Sequence, residues 1–434
     1  MQNRSSIFSF PNPKLSMSAT RFGEIYPYYA GFSAVFAEAL IKSAISRSDA
    51  HILDPWNGSG TTTISAARLD FPTSGFDLNP AMFLVAKARL LSKMEAPSLG
   101  AICAAIIGQA KVSKECFDTS EDPLSSWFMG ETVKNIRRLE KEIQRLLVDC
   151  RVYKRLAEYE DLCRFSDMAC FFYVALFRTA RKALAPFRTS NPTWIRRPKR
   201  DSDRIKKGMD PLIEEFRAEV RQMETILDSS ASSLERSKDI NLGIASSEAL
   251  PMPSASVNFV LSSPPYCTRI DYAIATLPEL AIMGYTEVEV NRMRRTLIGS
   301  PTKPDSPLEQ RPEWGKECNR LLRRIRGHKS RASDSYYYDN HCQYFGRVYN
   351  SLGEIYRVLE SSGLCCLVVQ DSYYKDIHNN LPDIFVEMSK NLGLVLVARS
   401  DFVAGRTMAA INPAVRPYRT NPSANESVLC FAKT

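Results

Sequence analysis

Apolar positions along the 434-residue chain change period twice. Ile52-Leu53 is a short apolar run that stops at Asp54, and Thr73-Ser74-Gly75-Phe76 is a second that stops at Asp77. Both are bounded by turn-forming residues, as buried strands are. From about 101 to 236 the period becomes helical. Val133, Ile136, Leu139 and Ile143 fall on one face of a charged background, and Cys170–Phe177 is a continuous run that reads as a buried helix. Its aromatic residues are expected in a core rather than on a binding surface. Strand patterning resumes at 240–266, with the apolar run Val257–Leu261, and 341–434 completes it. Residues 1–20, with Pro11 and Pro13, read as an arm or loose strand. The predicted fold is α/β: a doubly wound, mostly parallel Rossmann-like sheet with a helical insertion between its second and third strands. The segments are 1–100 (first half of the sheet), 101–236 (insertion), 237–290, 291–340 (a basic segment) and 341–434 (second half of the sheet).

Chemistry gathers where the strands stop. After Val257–Leu261 comes Ser263-Pro264-Pro265-Tyr266. Neither proline can donate to a sheet ladder, so the strand ends in a stiff turn at its carboxyl end, the edge at which open α/β sheets bind ligands. The turn offers fixed carbonyls, the Ser263 hydroxyl and the Tyr266 ring, a set suited to a planar base with an exocyclic amine. Asp54-Pro55-Trp56-Asn57-Gly58-Ser59-Gly60-Thr61-Thr62 is a Gly-rich turn between strand and helix. Gly58 and Gly60 permit close backbone approach and positive φ. No Gly-Lys-Ser/Thr follows, which excludes an NTPase phosphate loop, and the third glycine of the dinucleotide fingerprint is missing. Asp77, at the tip of the second strand in Asp77-Leu78-Asn79-Pro80, stands where an acidic side chain meets a ribose diol.

The Asp54–Thr62 turn resembles the cofactor motif of S-adenosylmethionine-dependent amino-methyltransferases acting on DNA, typically Asp-Pro-Phe-x-Gly-Ser-Gly-Thr-Thr. Ser263-Pro264-Pro265-Tyr266 is similar to their catalytic motif in the form usual for cytosine-N4 enzymes; adenine-N6 enzymes more often carry Asp-Pro-Pro-Tyr. Tyr26–Phe32, Arg357–Leu359 followed by Gly363–Val369, and Asn425–Phe431 resemble further family segments, the first of them packing near the methionine end of the cofactor. The resemblance covers roughly residues 20–95 and 240–434. It departs from the family at Ser246 or Ser247, where an acidic residue often stands near the adenine, and at Asn258, which replaces an Asp in the catalytic strand. It implies S-adenosyl-L-methionine as cofactor, held by Asp54, Pro55, Trp56, Gly58, Ser59, Gly60, Thr61, Thr62, Asp77 and Asn79. It implies direct methyl transfer to the amine of a flipped base held by Ser263, Pro264, Pro265 and Tyr266. DNA is then the expected partner, most readily in a restriction-modification or defence setting, with the insertion as a target-recognition element. Adenine N6, an RNA base, a protein glutamine and a non-catalytic DNA-binding subunit are the competing readings, in that order for the nucleic-acid cases. The glutamine enzymes favour Asn-Pro-Pro-Tyr.

Composition changes this picture little. A formal charge of +9 has the sign a polyanion requires. Two basic segments are candidates for phosphates: Arg196, Arg197, Lys199 and Arg200, continuing to Arg204, Lys206 and Lys207 beside Trp194; and Arg292 to Arg331. Eleven cysteines without CxxC pairs point to reduced thiols in a cytoplasm. Four histidines, unclustered with cysteine, argue against a zinc site. Cys267 sits outside the context of a nucleophilic cysteine and is expected as a buried or turn thiol. No signal peptide and no apolar stretch of membrane-spanning length is evident, so no membrane partner is expected.

Overall fold

A computed structural model describes residues 10–14, 25–26, 31–148, 152–189, 194–229, 239–267, 270–302, 309–404 and 424–434. In chain order, α1 (Ala34–Ala44) precedes β1 (Ile52–Asp54), α2 (Thr61–Arg68) and β2 (Thr73–Asp77). Then come α3 (Pro80–Ala88), α4 (Ala96–Val112), α5 (Gly130–Leu147), α6 (Asp167–Ala183) and α7 (Met209–Ser229). The sheet resumes with β3 (Ile240–Ile244) and β4 (Val257–Ser262). After α8 (Tyr272–Ala275), α9 (Leu277–Ile282), α10 (Glu287–Thr296), α11 (Lys316–Arg326) and α12 (Tyr338–Val358) come β5 (Leu359–Gln370), β6 (Ser372–Tyr374) and β7 (Ile377–Asn379). Helix α13 (Leu381–Asn391), β8 (Leu394–Ala404) and β9 (Ala424–Lys433) complete the chain.

Seven strands form one sheet in the order β3-β2-β1-β4-β5-β9-β8. The first five are parallel, and β9 runs antiparallel to both β5 and β8. This is the doubly wound, mostly parallel sheet that the sequence predicts, with the helical insertion between β2 and β3. Alternation along the strands explains why both faces are covered. On β4, Phe259 and Leu261 join Phe36, Leu40 and Ile41 of α1, whereas Val257 and Val260 join the side of α12 and α13. On β5, Cys366 and Val368 take the first face and Cys365, Leu367 and Val369 the second. Asn258 interrupts the apolar run for a local reason: its Oδ1 accepts the His51 N–H at 2.7 Å, joining the starts of β1 and β4.

Helices α3 to α7 build a core of their own. Cys170 to Phe177 of α6 are all buried, as the aromatic run implies; each ring contributes about 1.5–3 kcal/mol on burial. The helices begin at Pro80, ahead of position 101, because α3 packs on α6 as well as on the sheet. Two arginines tie this layer to α9. Arg137 of α5 is buried, forked onto Asp122 at 2.8 and 2.9 Å and donating to the Ile282 and Ala281 carbonyls at the end of α9. Arg181 of α6 pairs with Glu279 of α9, which also accepts the Tyr26 hydroxyl at 2.8 Å. The insertion thereby holds the segment following the Pro-Pro turn. No single helix among the described residues is long and apolar enough to cross a membrane.

Candidate active site

Chain order reverses between β1 and β4, and at that switch point a cleft opens at the carboxyl ends of β1, β2 and β4. It encloses about 980 Å³, counting space open to solvent. One wall is the turn after β1, the floor is Asp77 and Asn79 after β2, and the opposite wall is Ser263–Tyr266 after β4. Motifs some two hundred residues apart in the chain thus face each other.

The β1 turn is held by its own backbone. Gly58 (φ +49°) and Gly60 (φ +83°) adopt left-handed conformations, and Gly60 opens α2. A Cβ on Gly60 would stand 3.0 Å from the Ala86 Cβ, so a side chain there would press on α3 and would also be strained by the left-handed backbone. Gly58 N–H donates to Asp77 Oδ2 and Asn79 N–H to Oδ1, both at 2.8 Å. Both Asp77 oxygens are therefore oriented, and each retains a lone pair toward the cleft; burial raises its carboxyl pKa. Asp54 lies deeper, accepting from Ser262 Oγ at 2.5 Å and Trp56 N–H at 3.1 Å. Burial, opposed by those bonds, pushes its pKa up to about 6. The Trp56 indole N–H, in the cleft wall, has no acceptor among the described residues.

On the opposite wall, the Ser263 hydroxyl donates to the Val368 carbonyl of β5 at 3.1 Å, leaving its oxygen lone pairs for a donor. The Pro265 carbonyl accepts the Tyr344 hydroxyl at 2.9 Å, and Tyr266 N–H donates to the Tyr272 hydroxyl at 3.2 Å. The turn is thus fixed on three sides. Tyr266 lines the cleft, its phenol pKa raised by burial first and by Glu426 second.

Of the sequence-predicted cofactor residues, Asp54, Pro55, Trp56, Gly58, Ser59, Thr61, Asp77 and Asn79 line the cleft, as do all four of Ser263–Tyr266. Gly60 and Thr62 do not. Gly60 shapes the turn, and the buried Thr62 hydroxyl donates to the Leu261 carbonyl at 3.0 Å, pinning α2 to β4. Asn79 caps α3 through Oδ1 and donates from Nδ2 to Thr276 Oγ1 at 2.8 Å, so it also joins floor to wall. Gly31 and Phe32 close the cleft from the amino-terminal side; Pro27–Ala30 lie outside the described residues. Ser247 lines it too, its hydroxyl 2.8 Å from that of Ser351. Tyr272, Thr276, Leu297 and Ile298 were not singled out from the sequence, because nothing in their spacing marks them as facing the turn. Asn57 was passed over inside the motif itself; it lines the floor and accepts the Thr63 hydroxyl at 3.0 Å. Cys267 is buried, its thiol pKa pushed up to about 12, which leaves no thiolate at neutral pH.

The 196–207 loop is well supplied with counter-charges. Arg197 pairs with Glu287 (3.3 Å), Arg204 with Asp201 (2.8 Å) and Lys207 with Glu215 (2.5 Å). Arg196, Lys199, Arg200 and Lys206 are exposed. None of them lines the cleft.

No family model and no curated protein matches the chain. Among solved structures it is similar to a geranyl diphosphate methyltransferase in complex with GPP and sinefungin, at 8% identity over 92% of this chain and 78% of that one, TM-score 0.33. It is similar also to an rRNA methyltransferase from Streptomyces viridochromogenes, at 10% identity over 97% and 96% of the two chains, TM-score 0.30. A third is a SAM-dependent methyltransferase from Methanosarcina mazei, at 9% identity over 91% and 96%, TM-score 0.29. At these values the likeness carries no weight for function.

Proposed function

We propose that this protein is an S-adenosylmethionine-dependent methyltransferase acting on the exocyclic amine of a DNA base, cytosine N4. The observation that carries the reading is a single cleft walled on one side by the Asp54–Thr61 turn with Asp77, and on the other by Ser263–Tyr266. The donor set suits the cofactor. Asp77 presents two oriented oxygens to a ribose diol, the unpartnered Trp56 N–H awaits an acceptor, and Phe32 and Met82 offer apolar surface. When bound, S-adenosylmethionine supplies a sulfonium methyl group to a nucleophile placed in line with it.

The protein's task is to make an aromatic amine nucleophilic. Its nitrogen lone pair is delocalised into the ring, so the amine is nearly planar and weakly reactive. Ser263 Oγ, its own proton committed to Val368, accepts one amine N–H, and the Pro264 carbonyl accepts the other. Two fixed acceptors favour a tetrahedral nitrogen with its lone pair exposed, and fixing them in advance removes the reorganisation cost. Tyr266 provides a face for the base. Holding both reactants in one cleft supplies the remaining advantage of proximity. A base paired in a duplex cannot reach Ser263, so it must be turned out of the stack.

The test is incubation of the purified protein with methyl-labelled S-adenosylmethionine and unmethylated DNA, followed by nucleoside mass spectrometry. Ser263→Ala and Tyr266→Ala run in parallel. N4-methylcytosine from the wild type, lost or strongly reduced in both variants, is the expected result. N6-methyladenine instead would overturn the base assignment, and label in RNA or protein alone would overturn DNA as the substrate.

A further inference from the structure

The first cleft uses one side of the Ser263–Tyr266 turn, and a second cleft lies on the other. It encloses about 1030 Å³, counting space open to solvent. Tyr344 lines it and donates its hydroxyl to the Pro265 carbonyl, so wall and catalytic turn are one rigid unit. Gly299, also in the lining, is left-handed (φ +84°) and lies against the Tyr266 carbonyl, 2.8 Å from where a Cβ would stand. The surfaces are largely aromatic: Tyr336 against Tyr337, and Tyr337 against Tyr374, with centroids 5.1 Å apart in each pair. Among them sit polar atoms without partners among the described residues. Ser300 is 6% exposed with its hydroxyl unbonded, and the buried Asn340 Oδ1 is likewise unbonded. Buried polar atoms are rarely left in this state unless something else bonds them. Stacking faces together with a hydroxyl and an amide suit a nucleobase.

A cationic helix is joined to the wall of this cleft. Helix α11 buries Cys318, Leu321, Leu322 and Ile325 and turns Arg320, Arg323, Arg324 and Arg326 outward. The turn that follows is bonded to the cleft wall: Ser330 Oγ lies 2.9 Å and Ser333 Oγ 2.8 Å from the Tyr374 hydroxyl. Arg326 lies over the Tyr338 ring at 5.2 Å. Among the described residues, Arg323, Arg326, Lys329 and Arg331 make no ion pair, while Arg324 acts on Asp376, which pairs with His328. In the 196–207 loop Arg197, Arg204 and Lys207 are paired with Glu287, Asp201 and Glu215, Arg196, Lys199, Arg200 and Lys206 are exposed, and no residue of the loop lines either cleft. Exposed positive charge on one helix, whose following turn is bonded to the wall of the second cleft, suits a polyanion that reaches that cleft.

We propose that DNA lies along α11 and the turn to Arg331, rather than along the 196–207 loop, and that the second cleft takes a base unstacked beside the modified one. This rests on the DNA reading given above. The test measures binding of a fluorescent duplex by anisotropy across a salt series. Wild type is compared with Arg323→Gln/Arg326→Gln/Lys329→Gln/Arg331→Gln and with Arg196→Gln/Arg197→Gln/Lys199→Gln/Arg200→Gln. S-adenosylmethionine titration confirms that each variant is folded. The α11 variant should lose roughly ten-fold or more in affinity, its salt slope falling by about 0.9 for each phosphate contact removed; the loop variant should stay near wild type. Ser300→Ala and Asn340→Ala should raise KM for DNA more than they lower kcat, with cofactor affinity unchanged. An α11 variant that binds as wild type does, while wild type methylates DNA, overturns this inference and leaves the proposed function standing. A wild type that binds RNA but no DNA overturns both.

Discussion

Replacing Asp54 by Asn is expected to stabilise the cofactor-free protein at neutral pH. Asp54 is 4% exposed, and burial moves its pKa from 3.8 to about 6. A shift of about two units corresponds to about 3 kcal/mol. The sign follows from proton binding. The folded protein keeps the Asp54 proton up to about pH 6, whereas the unfolded chain releases it near pH 4. Between those values the folded state binds more protons, so stability falls as pH rises through the window, and the penalty is complete above about pH 6. Part of the shift is repulsion from Asp77, which the substitution also relieves. Asn presents the same Oδ1 to Ser262 Oγ and Trp56 N–H, so those two bonds survive. Urea unfolding of both proteins from pH 4 to pH 8 isolates the effect, because titrating groups that do not interact with Asp54 cancel in the difference, leaving Asp54 and its coupling to Asp77. Near-equality at pH 4, widening to as much as about 3 kcal/mol in favour of Asp54→Asn above pH 6, is the expected profile. Parallel curves would refute the buried-carboxylate argument, and a variant less stable at pH 7.5 would reverse it.

Gly75→Ala should disturb the cleft floor, because a Cβ there would stand 2.5 Å from Asn57 Cγ and 2.6 Å from Thr63 Cγ2. A loss of about 1–3 kcal/mol in urea is expected, with weaker cofactor binding; an unchanged midpoint and unchanged affinity would show that Asn57 yields freely. Trp56→Phe removes an unpartnered N–H together with part of the ring that packs against the core on the α12–α13 side. Calorimetry should show cofactor affinity reduced by about 0.5–1.5 kcal/mol with a modest loss of thermal stability, and equal affinity would place the indole N–H away from the ligand. Arg137→Ala leaves buried Glu140 without its cation and buried Asp122 with Arg155 alone, at 3.6 Å. It should cost about 3–5 kcal/mol, and a loss under about 1 kcal/mol in chemical unfolding would mean that water fills the gap.

The elements that carry chemistry were the most legible in the sequence, because proline restricts the backbone and glycine opens conformations closed to other residues, wherever they fall. Pro264-Pro265 marks the end of β4, and Gly58 and Gly60 mark the turn after β1, without any knowledge of what packs around them. The period of the Cys170–Phe177 run could be read because a helix buried on all sides needs no polar face. What sequence could not supply was adjacency. Asn79, Thr62 and Gly60 all belong to recognisable motifs, yet only packing distinguishes a residue that faces the cleft from one that holds its wall in place. The second cleft escaped for the same reason. Tyr336 and Tyr337 are neighbours in the chain, but Tyr373 and Tyr374 reach them through the small β6–β7 hairpin, whose strands are three residues each. The Arg197–Glu287 and Lys207–Glu215 pairs likewise join segments that no local pattern connects.

The placement of the insertion also governs how the protein is made. Asp54 and its partner Ser262 are 208 residues apart in the chain. At about 5–20 residues per second, a ribosome needs roughly 10–40 s to deliver the second after the first. Through that interval β1 and β2 have emerged, while β4, which completes the β1 ladder, has not. Helices α3 to α7 emerge in the meantime, and their contacts are mostly with one another. They can form a core while the nascent sheet still has an open edge, and through α3 they shelter β2 before β3 arrives. A helical layer set between the second and third strands can therefore pack on itself and on β2 while β4 is still to be made.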